Sequence, residues 1–253
     1  MNDQPRIHFL WGIVPVFVML LLWETTARLQ LIPGGVFFPP FTTVMAELGD
    51  LLFGGVLVPN FMSSLGRVMA GFISGSVCGI GTGILMGWNE RANRWFSPII
   101  GLLYPIPALG WLPVLMLWIG INEMLPIAII FICSFFPILY NTLTGVRQVK
   151  PELINAARIL GASDLFILKR VVVPLALPNI FTGLKLEAGM AWKVVVASEM
   201  VAIPTGIGAL MMRAESLVRM DIILVCLMIL SVMCLIFERF FVFLEFKTTG
   251  KWR

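Results

Sequence analysis

The sequence predicts an all-α, polytopic transmembrane bundle of about six helices, and three observations carry that prediction. Of 253 residues, 59% are hydrophobic and only 13% charged, with a mean hydropathy of +0.96. A soluble domain needs more polar surface to cover its core, so the composition fits lipid as solvent. Apolar stretches long enough for a bilayer core about 30 Å thick recur at roughly 9–29, 61–87, 95–118, 122–145, 180–203 and 218–242. Finally, Lys and Arg collect in alternate gaps, as they do on the cytoplasmic side of membrane proteins.

The basic residues that set this topology are Arg6, Arg91, Arg94, Arg147, Lys150, Arg158, Lys169, Arg170, Lys247, Lys251 and Arg253. They place both termini, the short loop 88–94 and the long loop 146–179 in the cytoplasm, and segment 30–60 outside. The net charge of +4 is therefore a topology signal. No basic stretch is long enough for a nucleic-acid footprint. The chain divides into residues 1–59, an N-terminal span plus an outer amphipathic segment, and a core, 60–245, that contains the loop.

The first span is longer than a signal-peptide apolar region and is read as a retained anchor. Segment 30–60 opens with Pro33, Gly34, Gly35, Pro39 and Pro40. Val44, Leu48, Leu51 and Leu52 then share one helical face, with Glu47 and Asp50 more polar, as in a short helix on the outer surface. In the second span, Gly71, Gly75, Gly79, Gly83 and Gly87 recur every fourth residue and form a small-residue ridge on one helix face. That ridge serves packing within the chain or an interface between subunits. Arg67, near its outer end, is expected to snorkel or to meet a carboxylate.

Prolines 98, 105, 107 and 113 break the third span. Irregular backbone at membrane depth survives only inside protein or along a water-filled cavity. The stretch Tyr104–Pro113 is therefore expected inside the bundle, as a kinked structural helix or beside a translocation path.

The loop 146–179 is the most informative segment. Pro151 suits the first turn of a helix and Glu152 its positive end. Gly161 suits a left-handed cap, Ser163 caps a second helix with Asp164 in its first turn, and Pro174 and Pro178 close the loop. Ala156 and Ala157 give the first helix a small surface, suited to a groove on a partner protein or to rest on the bilayer surface.

In the fifth span lie Lys185, Glu187, Lys193 and Glu199. Charges at this depth face a cavity or a partner. Lys193 and Glu199 are about 120° apart on a helix, so each needs its own partner. Trp111, Met116, Trp192, Lys193, Glu199 and Met200 form the candidate path set, with Lys193 favouring an anion; the alternative for Lys193, and the favoured reading for Glu199, is buried pairing that serves structure. Cys78, Cys133, Cys226 and Cys234 sit in apolar stretches without metal-site spacing, His8 is the single histidine, and no metal site is expected. Buried thiols packing as small hydrophobes is the expected role.

The order Ala156-Ala157, Gly161-Ala162, then Val171, Pro174, Ala176, Pro178 and Gly183, resembles the EAA motif of ABC-importer permeases. Ser64-Leu65-Gly66-Arg67-Val68 with Gly71-Phe72 is similar to that family's SL-x-RV-x-x-GF. Ile106 to Pro113 and Leu117 to Glu123 resemble its IP-x-LA-x-LP and LWFGIGE blocks. Phe136-Pro137, Asn141-Thr142, Gly145-Val146, Ala191-Trp192, Ala197-Ser198-Glu199-Met200 and Gly206-Ile207-Gly208 follow in order. Together they resemble the taurine, alkanesulfonate and nitrate class over about residues 23–245. Asn155 departs from the motif's usual Glu; Gly110 and Ser198 stand for common alanines.

The resemblance implies a type I importer permease fold in the cytoplasmic (inner) membrane of a prokaryote. It implies a dimer of ABC ATPase subunits that carries ATP-Mg, a second permease copy in a homodimer, and an extracytoplasmic substrate-binding protein. This chain has no GxxxxGK[ST] phosphate loop, so it is expected to be non-catalytic and to bind no cofactor itself. Asn155, Ala156, Ala157, Gly161, Ala162, Ser163, Pro174 and Pro178 are implied in ATPase coupling. The other classes open to the residues are a stand-alone ion-coupled carrier or channel and a membrane enzyme. A carrier predicts paired broken helices in an inverted repeat, and only one strongly broken span is visible. An enzyme needs a convergent catalytic set, which scattered carboxylates and one histidine do not supply. Within the permease class, a thiamine-precursor-like heterocycle is the alternative to a sulfonate-, nitrate- or bicarbonate-like anion.

Overall fold

The computed structural model describes residues 4–31 and 37–249, with side chains for 14–31 and 37–248. Pro33, Gly34, Gly35, Lys251, Arg253 and the side chains of Arg6 and His8 lie outside the described residues. The first predicted span falls on α1, Gln4–Arg28. Then come α2 (Phe41–Phe53), α3 (Leu57–Trp88), α4 (Glu90–Leu103), a 3₁₀ turn (Ala108–Trp111), α5 (Leu112–Ile119) and α6 (Met124–Arg147). The remainder is α7 (Pro151–Ile159), α8 (Asp164–Ile167), a π-turn (Leu168–Val172), α9 (Val173–Ala202), α10 (Ile207–Ser216) and α11 (Met220–Thr249).

Among the described residues, four helical runs are long and apolar enough to cross a membrane: α3, α6, the run Asp164–Ala202 and α11. The proline-rich third span is not one rod. Its two halves, α4 and the 3₁₀ turn with α5, meet at 83° across Tyr104–Pro107, which makes it a broken span or a re-entrant loop. Pro105 and Pro107 remove two donors there, and the chain resumes with Pro113 in the first turn of α5.

The fifth span also differs from its prediction. Pro174 and Pro178 do not close the loop: helix is continuous from Asp164 to Ala202, with Pro174 in the first turn of α9 and Pro178 inside it. The wide π-turn just before Pro174 absorbs the hydrogen-bond mismatch that a proline imposes on a regular helix.

Helices α3, α6 and α9 form the centre. Bilayer lipid is as apolar as leucine, so close van der Waals approach decides which helices associate. The glycine ridge of α3 lies on α6 within the same chain. A Cβ built on Gly71, Gly79 or Gly83 would come 2.7 Å from a carbonyl oxygen of α6, of Ile127, Phe135 and Leu139 respectively, and one on Gly75 would lie 2.8 Å from that of Phe131. Gly87 is closed off by Val146. Gly81, on the far side of α3, has nothing within 4 Å. On the other flank of α6, Gly183 of α9 meets Asn141 and Ile138, and Gly145 meets Asn179 and Ala176.

Helix α2 packs on α11, and Glu47 Oε2 lies 2.7 Å from Arg219 Nη2. Val44 and Leu51 are buried, but Leu52 is exposed and off that face. All four cysteines are free; Cys226 is buried and Cys133 and Cys234 half-buried, whereas Cys78 is exposed on α3 instead of packed.

Candidate functional site

The loop helix α7 is fixed at both ends. Pro151 occupies its first turn, Glu152 lies at its positive end, and Arg158 in its last turn. At the C-terminus Gly161 adopts φ +82°. Its N–H donates to Arg158 O at 2.9 Å and that of Ala162 to Ala157 O at 3.1 Å, which is the Schellman pairing. Ser163 Oγ accepts from Phe166 N at 3.4 Å to start α8, and Arg158 Nη2 lies 3.0 Å from Asp164 Oδ1 across the hinge. α7 is thus started by a proline, capped at its C-terminus and braced to α8 by an ion pair.

Its two faces differ. Ile154, Ala157 and Ala162 pack inward against the core, over buried Val149, Ile167 and Val172. Ala156 is exposed while Ala157 is half-buried, since consecutive helical residues point about 100° apart. The outward tip is apolar. Ile159 is 86% and Leu160 87% exposed, with Leu153, Leu165 and Phe166 exposed beside them. Exposed apolar clusters of this kind mark interaction surfaces. Sequence reasoning missed Ile159 and Leu160; the signal was an apolar pair set immediately before a capping glycine.

Near the expected outer end, Arg67 of α3 collects a second constellation. Its guanidinium grips Glu123 with two bonds, Nε to Oε2 at 2.6 Å and Nη2 to Oε1 at 2.8 Å. Nη1 reaches Glu199 Oε1 at 2.7 Å and Thr205 O at 2.8 Å, and Nη2 donates to Thr205 Oγ1 at 2.6 Å. Glu199 also accepts from Ser64 Oγ at 2.8 Å and Gly208 N at 3.0 Å. All five guanidinium N–H groups are thus engaged. Arg67 and Glu199 are 2% and 1% exposed, so the charge is desolvated but fully paired. Glu199 has almost no exposed surface in this chain and ties α9 to α3 and to the turn before α10. Gly206, at φ +110°, and Gly208 leave the carboxylate room that a side chain would occupy. Glu123 lies outside the spans, and its hydrogen bonds from Arg67 hold its carboxyl below the usual carboxylate range.

The remaining path candidates separate by helix face. Lys193 and Met200 are exposed on one stripe of α9, with Thr182, Leu186 and Met190. Seven residues apart, they return to nearly the same angle. No carboxylate lies within ion-pair distance of Lys193 among the described residues. Trp192 is instead buried, stacked on Phe61 and edge-on to Phe237, and Trp111 and Met116 are half-buried against the core. Trp192 thus faces away from any lumen on the Lys193 side. Among the described residues, no three His, Cys, Asp or Glu side chains gather as a metal site.

Residues 75–250 match the family described as the binding-protein-dependent transport system inner membrane component, and the chain belongs to that family. It is 44% identical over 198 residues to a putative ABC transporter permease protein of Methanocaldococcus jannaschii, covering 78% of this chain and 74% of that one. It is 33% identical over 226 residues to the taurine transport system permease protein of Escherichia coli, covering 87% and 82%. Among solved structures, the inward-facing MetNI methionine ABC transporter aligns with a TM-score of 0.57 at 16% identity, over 71% of this chain and 92% of that one. That last likeness is one of fold. The chain is therefore a multi-pass inner-membrane permease component of an ABC transporter.

Proposed function

We propose that this chain forms half of the translocation path of an ATP-driven importer for a small anion and is driven through α7 by a separate ATPase. The observation that carries the reading is the braced loop helix with Ile159 and Leu160 presented to solvent. An apolar tip on a rigid lever suits a groove on a partner, as helix-in-groove recognition requires. ATP-Mg is bound and hydrolysed by a pair of ATPase subunits, not by this chain. When they close, the load passes from α7 through the α8 and π-turn junction into α9. Both termini are cytoplasmic, as the distribution of Lys and Arg directs.

Two copies of the chain pair in the membrane, and an extracytoplasmic binding protein delivers the solute. Lys193, on the exposed stripe of α9 without a carboxylate partner among the described residues, supplies positive charge along the path. That favours an anionic solute of the sulfonate, nitrate or bicarbonate type over a neutral heterocycle. The test is purification of the tagged chain from its native membrane in mild detergent. An ATPase subunit in equal amount, lost on Ile159→Asp/Leu160→Asp, is the expected result. A chain that emerges alone favours an ion-coupled carrier or channel.

A further inference from the structure

We infer that a basic recess under α7 binds the phosphodiester head group of an anionic phospholipid. Two cavities, of about 540 and about 460 Å³, adjoin at Trp88, the last residue of α3. The larger lies between the ends of α3 and α6 and the inner side of α7, with Arg147, Arg158 and Asp164 in its wall. The smaller opens over the start of α4, with Glu90, Arg91 and Arg94. Four arginines thus meet two carboxylates, and both carboxylates are taken: Glu90 by Arg94 at 3.4 Å and Asp164 by Arg158 at 3.0 Å. Arg91 and Arg147 have no carboxylate within ion-pair distance among the described residues. Asn89 Oδ1 already accepts from Arg91 N and Ala92 N, so what Asn89 has left is its amide N–H₂, a donor. Guanidinium forks and a donor amide suit phosphate oxygens.

The surroundings select a lipid over a soluble phosphate. The recess sits where two spans end, with a tryptophan at its centre, which is the head-group level of a bilayer. From it, Trp95, Ile99 and Leu102 run up one face of α4, 78%, 57% and 74% exposed. A charged pocket that continues into a bare apolar stripe matches a head group with its acyl chains, and basic pockets between helices on the cytoplasmic side bind such heads. A lipid seated there bridges α3, α4 and α6 to the underside of the loop helix. The placement on the cytoplasmic side rests on the proposed importer topology.

The test uses the full complex in nanodiscs of phosphatidylcholine with phosphatidylglycerol, and native mass spectrometry to count phosphatidylglycerol retained per chain. Arg91→Gln/Arg147→Gln is expected to lower retention by about fivefold for each arginine, and Arg91→Lys/Arg147→Lys to restore part of it. Lys169→Gln/Arg170→Gln removes the same amount of charge from the π-turn, outside the recess, and should retain the wild-type amount. Equal loss in that control means diffuse attraction and overturns the site. So does displacement of the lipid by millimolar inorganic phosphate, or a rise in retention when the ATPase is stripped away, which would assign the arginines to the ATPase interface. The same spectra score the ATPase subunit, so its absence contradicts the importer reading while leaving the lipid count to stand or fall alone.

Discussion

Arg67 Nη1 lies 2.7 Å from Glu199 Oε1, so a cation near one end of α3 neutralises an anion near one end of α9, both out of contact with solvent. Removing one partner from such a pair leaves an uncompensated buried charge, at a cost of about 3–5 kcal/mol. Arg67→Met or Glu199→Gln should therefore lower the melting temperature in detergent and the yield of assembled protein. A Glu199→Gln variant that melts like wild type but transports poorly would return Glu199 to the path.

Glu123 gives this knot a pH dependence. Its carboxyl titrates below its ordinary range because it accepts two bonds from Arg67. A lowered native value means that the stabilisation is present above the unfolded-state value, about 4.3, and is lost as pH falls through the native one. The Glu123 side chain is 65% exposed, so the effect is worth less than about 1 kcal/mol. Melting curves of wild type and Glu123→Gln should differ at pH 7 and converge below about pH 4. A gap that widens on acidification would reverse the assignment.

The α3–α6 seam predicts a contrast within one helix. Gly79→Val pushes a side chain into Phe135 O and should cost about 1–3 kcal/mol or more through overpacking. Gly81→Val, two residues on, enters open space and should leave thermal stability near wild type. Similar losses at both positions would mean that α3 is covered on its far side as well.

Lys193→Met should cut uptake of a small anion in membrane vesicles while the complex still assembles, because the side chain is exposed and has no carboxylate within ion-pair distance among the described residues. Lys193→Arg, which keeps the charge, should retain most uptake. Unchanged uptake in Lys193→Met would remove the residue from the path.

Much of this architecture is legible in residue spacing. Glycines four apart name a packing face, and the Pro151, Gly161 and Ser163 punctuation sets the ends of α7 and α8, because proline, glycine and serine act through local backbone chemistry. What spacing does not reveal is long-range pairing. Nothing near Arg67 in sequence shows that it meets Glu123, 56 positions on, and Glu199, 132 positions on, in one knot. Trp192 and Glu199 were plausible pore residues by chain position, but their burial is decided by which neighbours flank α9. The π-turn escaped as well, since Pro174 and Pro178 normally end a helix and only a local widening of the backbone lets the run continue.

The most direct measurement is ATP hydrolysis by the ATPase mixed with the membrane-reconstituted Ile159→Asp/Leu160→Asp chain, compared with the wild-type chain and with the isolated ATPase. Both side chains are at least 86% exposed, so the bundle's melting temperature should not move. If α7 is the coupling lever, solute-stimulated hydrolysis falls to the level of the isolated ATPase, and uptake is lost with it. Full hydrolysis and uptake with both aspartates in place would contradict the assignment of α7 as the link between the ATPase and the membrane helices.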